Sequence, residues 1–271
     1  MDGFRFRFSL VSVALVLSAW IAALVILNAY APTAWGQRRT RSSGKKEIAL
    51  VPYQPNYYIY RKDPETKKAH SKFQISVRYQ FYPQFPLFFA YTQRCDWSYG
   101  QPSSPIRTCD FAPRFFLGWE GEHWKFSMGR EHESNGEPNV EDDTGHSISR
   151  SWRRDYLDGE LRGDWWALGL MAWSASEPVN NENIEDYYGT AEPRIRFFHG
   201  DKFDIRATWR DGIRYKYRLL EIFTNQPFEN ANFHWYVQVF QGYGQYLLDI
   251  RPPDQEPVNN NHVLLGIALT K

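Results

Sequence analysis

Cysteine is nearly absent from this chain: Cys95 and Cys109 are the two among 271 residues. Two lone thiols with no histidine beside them make a poor metal site, and in an exported chain they favour a disulfide. Excess charge is absent too, since 32 Lys and Arg stand against 31 Asp and Glu. That balance leaves no polyelectrolyte basis for binding nucleic acid. No repeat of solenoid period is visible, and no stretch is of low enough complexity to read as disordered. Apolar bulk is scarce, with 42% hydrophobic residues and a negative mean hydropathy. A membrane protein is not excluded by this, because a membrane barrel keeps its inner face polar.

Aromatic residues, by contrast, are plentiful at 17%, as the girdles of a membrane barrel require. The chain opens with Arg5 and Arg7, then runs uncharged and apolar from Leu10 to Ala31, and reaches small residues at Ala34-Trp35-Gly36. This pattern predicts a signal peptide over residues 1–36. At about 18 residues or more, the apolar run also suffices for an uncleaved membrane anchor. The remainder of the chain is of a length for one large all-β domain. Residues 37–71 read as an extended N-terminal segment, polar and basic to Lys46 and tyrosine-rich from Pro52 to Tyr60.

From Lys72 to the end, about a dozen segments alternate with a period of two, the pattern of an all-β transmembrane antiparallel barrel over residues 72–271. Phe73, Ile75, Val77, Tyr79 and Phe81 alternate with Gln74, Ser76, Arg78 and Gln80. Phe203, Ile205, Ala207 and Trp209 alternate with Asp204, Arg206, Thr208 and Arg210. After a tight Asp211-Gly212 turn, Ile213, Tyr215, Tyr217 and Leu219 alternate with Arg214, Lys216 and Arg218. Aromatics on one face and cations on the other predict a lipid-facing exterior and a polar lumen. Asn135 to Ser147, Ser176 to Asp186 and Asp254 to Asn261 read as outer loops.

One strand carries chemistry. Trp124, Phe126 and Met128 share a face, and continued alternation puts His132 and Ser134 on that same face. A histidine two residues from a serine on a strand supplies a general base beside a nucleophile, and an apolar surface around them points to a lipid substrate. Taken alone, such a pair is usually a rim feature that meets lipid headgroups. His123, His146 and His199 read as surface or turn residues.

His132-Glu133-Ser134-Asn135-Gly136, followed by Ser149-Arg150-Ser151-Trp152, resembles the bacterial outer membrane phospholipase A family. Tyr91-Thr92-Gln93, Ser103-Ser104-Pro105, Phe116-Leu117-Gly118 and Gln241-Gly242-Tyr243-Gly244 are similar to further family segments. The resemblance implies a twelve-stranded barrel in the bacterial outer membrane, hydrolysing acyl esters of phospholipids and lysophospholipids with Ca2+ as a homodimer. It also implies Ser134 as nucleophile and His132 as general base. Calcium would be held by Ser149, by Ser103 of the facing subunit and by a carbonyl near Glu137, oxygen donors suited to that ion. Asp142 and Asp143 add carboxylates in a lengthened loop, and Gln93 matches a glutamine of the dimer interface.

The chain departs from the family at Arg153, which stands where the resemblance implies a third catalytic residue, an asparagine. Arginine carries five donors and no acceptor, so it cannot take the histidine N–H. Its charge also opposes the imidazolium that forms when His132 takes a proton. Asp155, on the same face one dyad further along, is the candidate substitute, given a local slip or bulge. A barrel of the same descent that has lost catalysis is the rival reading, and a small porin a third.

Overall fold

A computed structural model of the chain describes residues 50–62, 69–99, 102–141, 145–199, 202–224 and 233–269. The signal-peptide segment, Asp142 and Asp143 lie outside them. The strands are β1 (Val51–Pro52), β2 (Asn56–Lys62), β3 (Ala69–Tyr82), β4 (Phe85–Tyr99), β5 (Ile106–Glu120), β6 (Trp124–Ser134) and β7 (Ser151–Arg162). They continue with β8 (Trp166–Val179), β9 (Ala191–His199), β10 (Phe203–Asp211), β11 (Lys216–Thr224), β12 (Phe233–Tyr243) and β13 (Asn259–Leu269). A one-turn helix α1 (Ile184–Tyr188) lies between β8 and β9. Strands β2 to β13 pair antiparallel with their neighbours in chain order, and β13 pairs back onto β2. The result is a closed twelve-stranded antiparallel barrel, with β1 added beside β3. Closure matters because hydrocarbon offers no partner to an unpaired backbone N–H or C=O.

The barrel takes in residues expected, from alternation alone, to form the extended N-terminal segment. Asn56–Lys62 is the closing strand, so eleven strands follow it rather than twelve. Its short length and lone tyrosine run hide it. Between β1 and β2 the chain leaves the ladder at Pro55, which has no N–H to offer. The side chain of Asn56 mends the gap: it accepts from Ser76 N–H at 2.6 Å and donates to the Ser76 carbonyl at 3.2 Å.

Alternation sorts the two faces as expected on β3 and β10. Gln74 and Ser76 are buried while Ile75 is exposed, and Arg210 points inward. On β11 the phase is reversed. Tyr217 is buried against the Arg210 guanidinium, 3.7 Å from its ring centroid, whereas Arg218 faces out and pairs with Asp211 at 2.7 Å. The register carries this: Asp211 pairs with Lys216 across a four-residue turn, so Arg210 and Tyr217 stand opposite each other on the inner face and Arg218 falls on the outer one beside Asp211.

Inside, charges meet charges. Arg94 bridges Glu133 at 2.7 Å and Asp110 at 3.3 Å, while Glu131 is clamped between Arg114 and Arg154. A cavity of about 380 Å³ remains among these side chains. At the end where β6 stops, α1 and a turn at Leu247–Asp249 fold inward. Tyr187, Tyr188, Leu247 and Ile250 pack there with Trp152, Tyr156 and Trp173. The Leu247 N–H donates to Asp110 at 3.2 Å, tying this cover to the barrel wall.

Cys95 and Cys109 face each other across β4 and β5 and form a disulfide. It closes the hairpin whose tip holds Ser103, with a sequence separation of 14. Cross-linking a loop of that size stabilises a fold by about 3 kcal/mol, chiefly by restricting the unfolded chain. Replacing both cysteines by serine is expected to lower unfolding free energy in detergent by about that amount. Urea titration followed by tryptophan fluorescence checks this, and an unchanged midpoint would refute it.

Candidate active site

β6 presents two chemistries on two faces. Glu131 and Glu133 point into the barrel, 3% and 5% exposed, while Met128, Arg130, His132 and Ser134 share the outer wall. The inner residues pin the strand on both sides. Glu131 takes Arg114 from β5 and Arg154 from β7, and Glu133 takes Arg94 from β4 and the indole N–H of Trp152 at 3.0 Å. The β6–β7 register runs unbroken from Trp124 opposite Leu161 to Ser134 opposite Ser151.

The loop after Ser134 is closed at its base by Asn135, which is buried. Its side chain donates to the Ile148 carbonyl at 2.8 Å and accepts from Arg150 N–H at 2.9 Å. Gly136 then turns the chain with a φ of 66°, and a Cβ there would lie 2.7 Å from the Phe111 ring. These contacts explain the Ser134-Asn135-Gly136 run in local terms. In the second motif, Arg150 and Trp152 point inward. Ser149 and Ser151 fall on the alternate positions, and Ser151 stands opposite Ser134.

Around His132 the neighbours are now definite. Phe111 of β5 pairs with Ser134, and Arg153 of β7 stands directly opposite His132. His132 Nδ1 is buried and has no hydrogen-bond partner among the described residues. Asp155, the candidate orienter, is engaged elsewhere. It lies opposite Arg130 and receives both of that guanidinium's hydrogen bonds, at 2.7 and 2.8 Å. The β6–β7 pairing shows no slip or bulge that would bring it opposite His132.

Arg153 pairs instead with Glu177 of β8. Both are exposed, 43% and 62%, and surface pairs of this kind contribute only about 0–1 kcal/mol. Glu177 is a non-glycine residue at a φ of 47°, a conformation costing on the order of 1–3 kcal/mol. Alternation alone puts Ser176 to Asp186 in an outer loop and misses this carboxylate; Pro178 within a strand is the available signal of a bulge.

Of the expected calcium ligands, Ser149 is half-buried and Ser103 is exposed at a hairpin tip, with a φ of 64°. Glu137 is half-buried, and its N–H meets the Asn135 side-chain oxygen at 3.4 Å. No group of three or more His, Cys, Asp or Glu that could hold a metal occurs among the described residues. Ser149 and Glu137 lie toward the two ends of one loop and offer oxygen donors, the donor chemistry that a hard cation such as calcium takes.

Comparison with known proteins bears on these features. The family model described as Phospholipase A1 matches residues 36–256. Phospholipase A1 of Escherichia coli K12 is 28% identical over 254 residues, covering 82% of each chain. A putative phospholipase A1 of Neisseria meningitidis serogroup B is 26% identical over 214 residues, 70% of this chain and 53% of the relative. Among solved structures, the outer membrane phospholipase A of E. coli superposes with a TM-score of 0.67 at 25% identity, covering 84% of this chain and 94% of that one. An active-site mutant of that protein with an asparagine replaced by alanine superposes equally well. The Salmonella typhi outer membrane phospholipase, a dimer with bound calcium, shares the fold with a TM-score of 0.66 at 24% identity, over 84% of this chain and 94% of its own.

The loop base provides a direct test. Gly136→Ala is expected to destabilise by about 1–3 kcal/mol from backbone strain, plus the Phe111 clash. Gly145, at a φ of 79° with open space around it, carries the strain without the clash. Thermal unfolding of the two alanine variants should place Gly136→Ala lower; equal midpoints would remove the role given to Phe111.

Proposed function

The chain belongs to the phospholipase A1 family, and from that premise we propose that it is a calcium-dependent outer membrane phospholipase A acting as a homodimer. The observation that carries the reading is the outward pair on β6. His132 and Ser134 stand on the lipid side of the wall, beside exposed Met128 and Phe115. A lipid ester reaches them there without crossing the lumen.

Ser134 Oγ attacks the acyl carbonyl while His132 takes its proton. His132 then returns that proton to the leaving glycerol oxygen, giving a lysophospholipid and an acyl-enzyme that water hydrolyses. The Ser134 backbone N–H supports the oxyanion. Ser149, Glu137 and Ser103 of a second copy are the residues that would hold calcium, with Asp142 as a further carboxylate; when bound, the ion would supply positive charge for the developing oxyanion. Gln93, on the outer wall with its side-chain oxygen 3.1 Å from the Tyr91 hydroxyl, belongs to the dimer surface in this reading. Phospholipid of the outer membrane is both solvent and substrate. Residues 1–36 are the export signal.

His132 Nδ1, without a hydrogen-bond partner among the described residues, and the facing Arg153 favour a second reading, a barrel that has lost catalysis. One experiment separates the two. Refolded protein in phospholipid–detergent micelles is expected to release fatty acid only with calcium, and Ser134→Ala or His132→Ala is expected to lose about 10³-fold or more. A folded wild-type protein no more active than Ser134→Ala would establish the inactive barrel.

A further inference from the structure

The strand that faces the site from the far side of β7 carries an irregularity. Along β7 and β8, Arg153 pairs with Ser176, but Ser151 pairs with Val179. Two steps on β7 therefore match three on β8, which is a β-bulge at Glu177-Pro178. Bulges of this type place their first residue in the left-handed region and normally use glycine there. Here the position is a glutamate at a φ of 47°. Pro178 leaves no stranded N–H in the interrupted ladder.

The consequence is one of direction. Regular alternation after outward-facing Ser174 and Ser176 would turn residue 177 into the lumen. The bulge turns Glu177 outward instead, over β7, where its Oε2 meets the Arg153 guanidinium. Arg153 in turn stands opposite His132. Paired strands lie about 4.8 Å apart, so the backbones of His132 and Glu177 are separated by about two such spacings, a gap that a glutamate and an imidazole span together. Among the described residues, Arg130 and Asp155 are the other charged groups on this part of the strand wall, and they are spent on each other. Toward β5 the neighbours are Phe111 and, counting along the register, Pro113, neither of them charged.

We propose that Glu177 is the positioning residue of His132, taking the part for which Arg153 offers no acceptor. This rests on the reading of Ser134 and His132 as nucleophile and base. One Glu177 oxygen holds Arg153 and cancels its charge beside the ring. The other accepts the His132 Nδ1–H during acyl transfer, fixing the tautomer that leaves Nε2 free to take the serine proton. An exposed pair with little to give stability, held by a bulge in an unfavoured backbone conformation, is thereby accounted for.

The test compares wild type, Glu177→Ala, and the double variant Arg153→Asn with Glu177→Ala, each refolded with its disulfide intact. Fatty acid release with calcium gives kcat and KM, and labelling by a serine-reactive phosphonate reads the nucleophile separately. Glu177→Ala, which removes the acceptor and leaves the charge of Arg153 uncancelled, is expected to lose about 10²-fold in kcat with KM held within about twofold, and to label correspondingly slowly. The double variant, which removes the charge of Arg153 and puts an amide acceptor opposite His132, should recover at least tenfold over Glu177→Ala. A merely structural role for the pair predicts no such recovery. An active wild type with Glu177→Ala equal to it, or with no recovery in the double variant, overturns the inference and leaves the phospholipase reading standing. A wild type with no activity dependent on Ser134 overturns both.

Discussion

Everything at the outer wall depends on how β6 is held from within. Glu131 and Glu133 are buried carboxylates on either side of His132 in sequence; Glu131 reaches arginines on both neighbouring strands, and Glu133 reaches Arg94 two strands away on β4. Buried ion pairs of this kind add little net stability, because desolvation offsets their attraction. Breaking one by removing a partner nevertheless costs about 3–5 kcal/mol. Their effect is therefore on register. A one-residue slip of β6 would drive His132 and Ser134 into the lumen and the glutamates into lipid. Such a slip separates both carboxylates from their arginines at once, so the native register is selected by a penalty on every alternative.

The same strand period makes the wall do two jobs with one sequence. Inner positions carry the charges that fill the lumen, and outer positions meet hydrocarbon or substrate. Trp152 joins the layers: its indole N–H satisfies Glu133, and its ring packs on Tyr188 of the inward-folded helix α1. The motif residues divide accordingly. Ser151 stands opposite Ser134 on the outside, while Arg150 reaches the carbonyls of Ser147 and Ile250 and locks the loop base to the cover at the barrel's end.

Much of this is legible in the order of residues, and the failures have identifiable causes. The faces of β3, β6 and β10 follow from strict alternation, which is why His132 and Ser134 can be placed on one apolar face from sequence. β2 escapes notice because seven residues rich in tyrosine look alike on both faces. β11 is inverted because composition assigns its tyrosines to lipid, whereas a turn of even length puts Tyr217 opposite Arg210 on the inner face. Asp155 is an acceptable orienter by its face, but its partner Arg130 comes from the strand opposite, a fact that no period can disclose. Glu177 is hidden by the bulge itself, since a bulge is the point at which alternation stops being true.

That last case bears on what Arg153 means. A catalytic wall that loses its acceptor opposite the histidine has two histories open to it: decay of the remaining site, or supply of an acceptor from the next strand. Decay would leave the surrounding geometry relaxed, with glycine or a regular ladder where strain serves no purpose. β8 instead holds a strained glutamate beside a proline, aimed across β7 at Arg153, the residue opposite His132. Because an exposed pair contributes at most about 1 kcal/mol, fold stability alone does not offset the backbone cost. The strain is better explained by the group one strand further on, a buried imidazole nitrogen without a hydrogen-bond partner among the described residues.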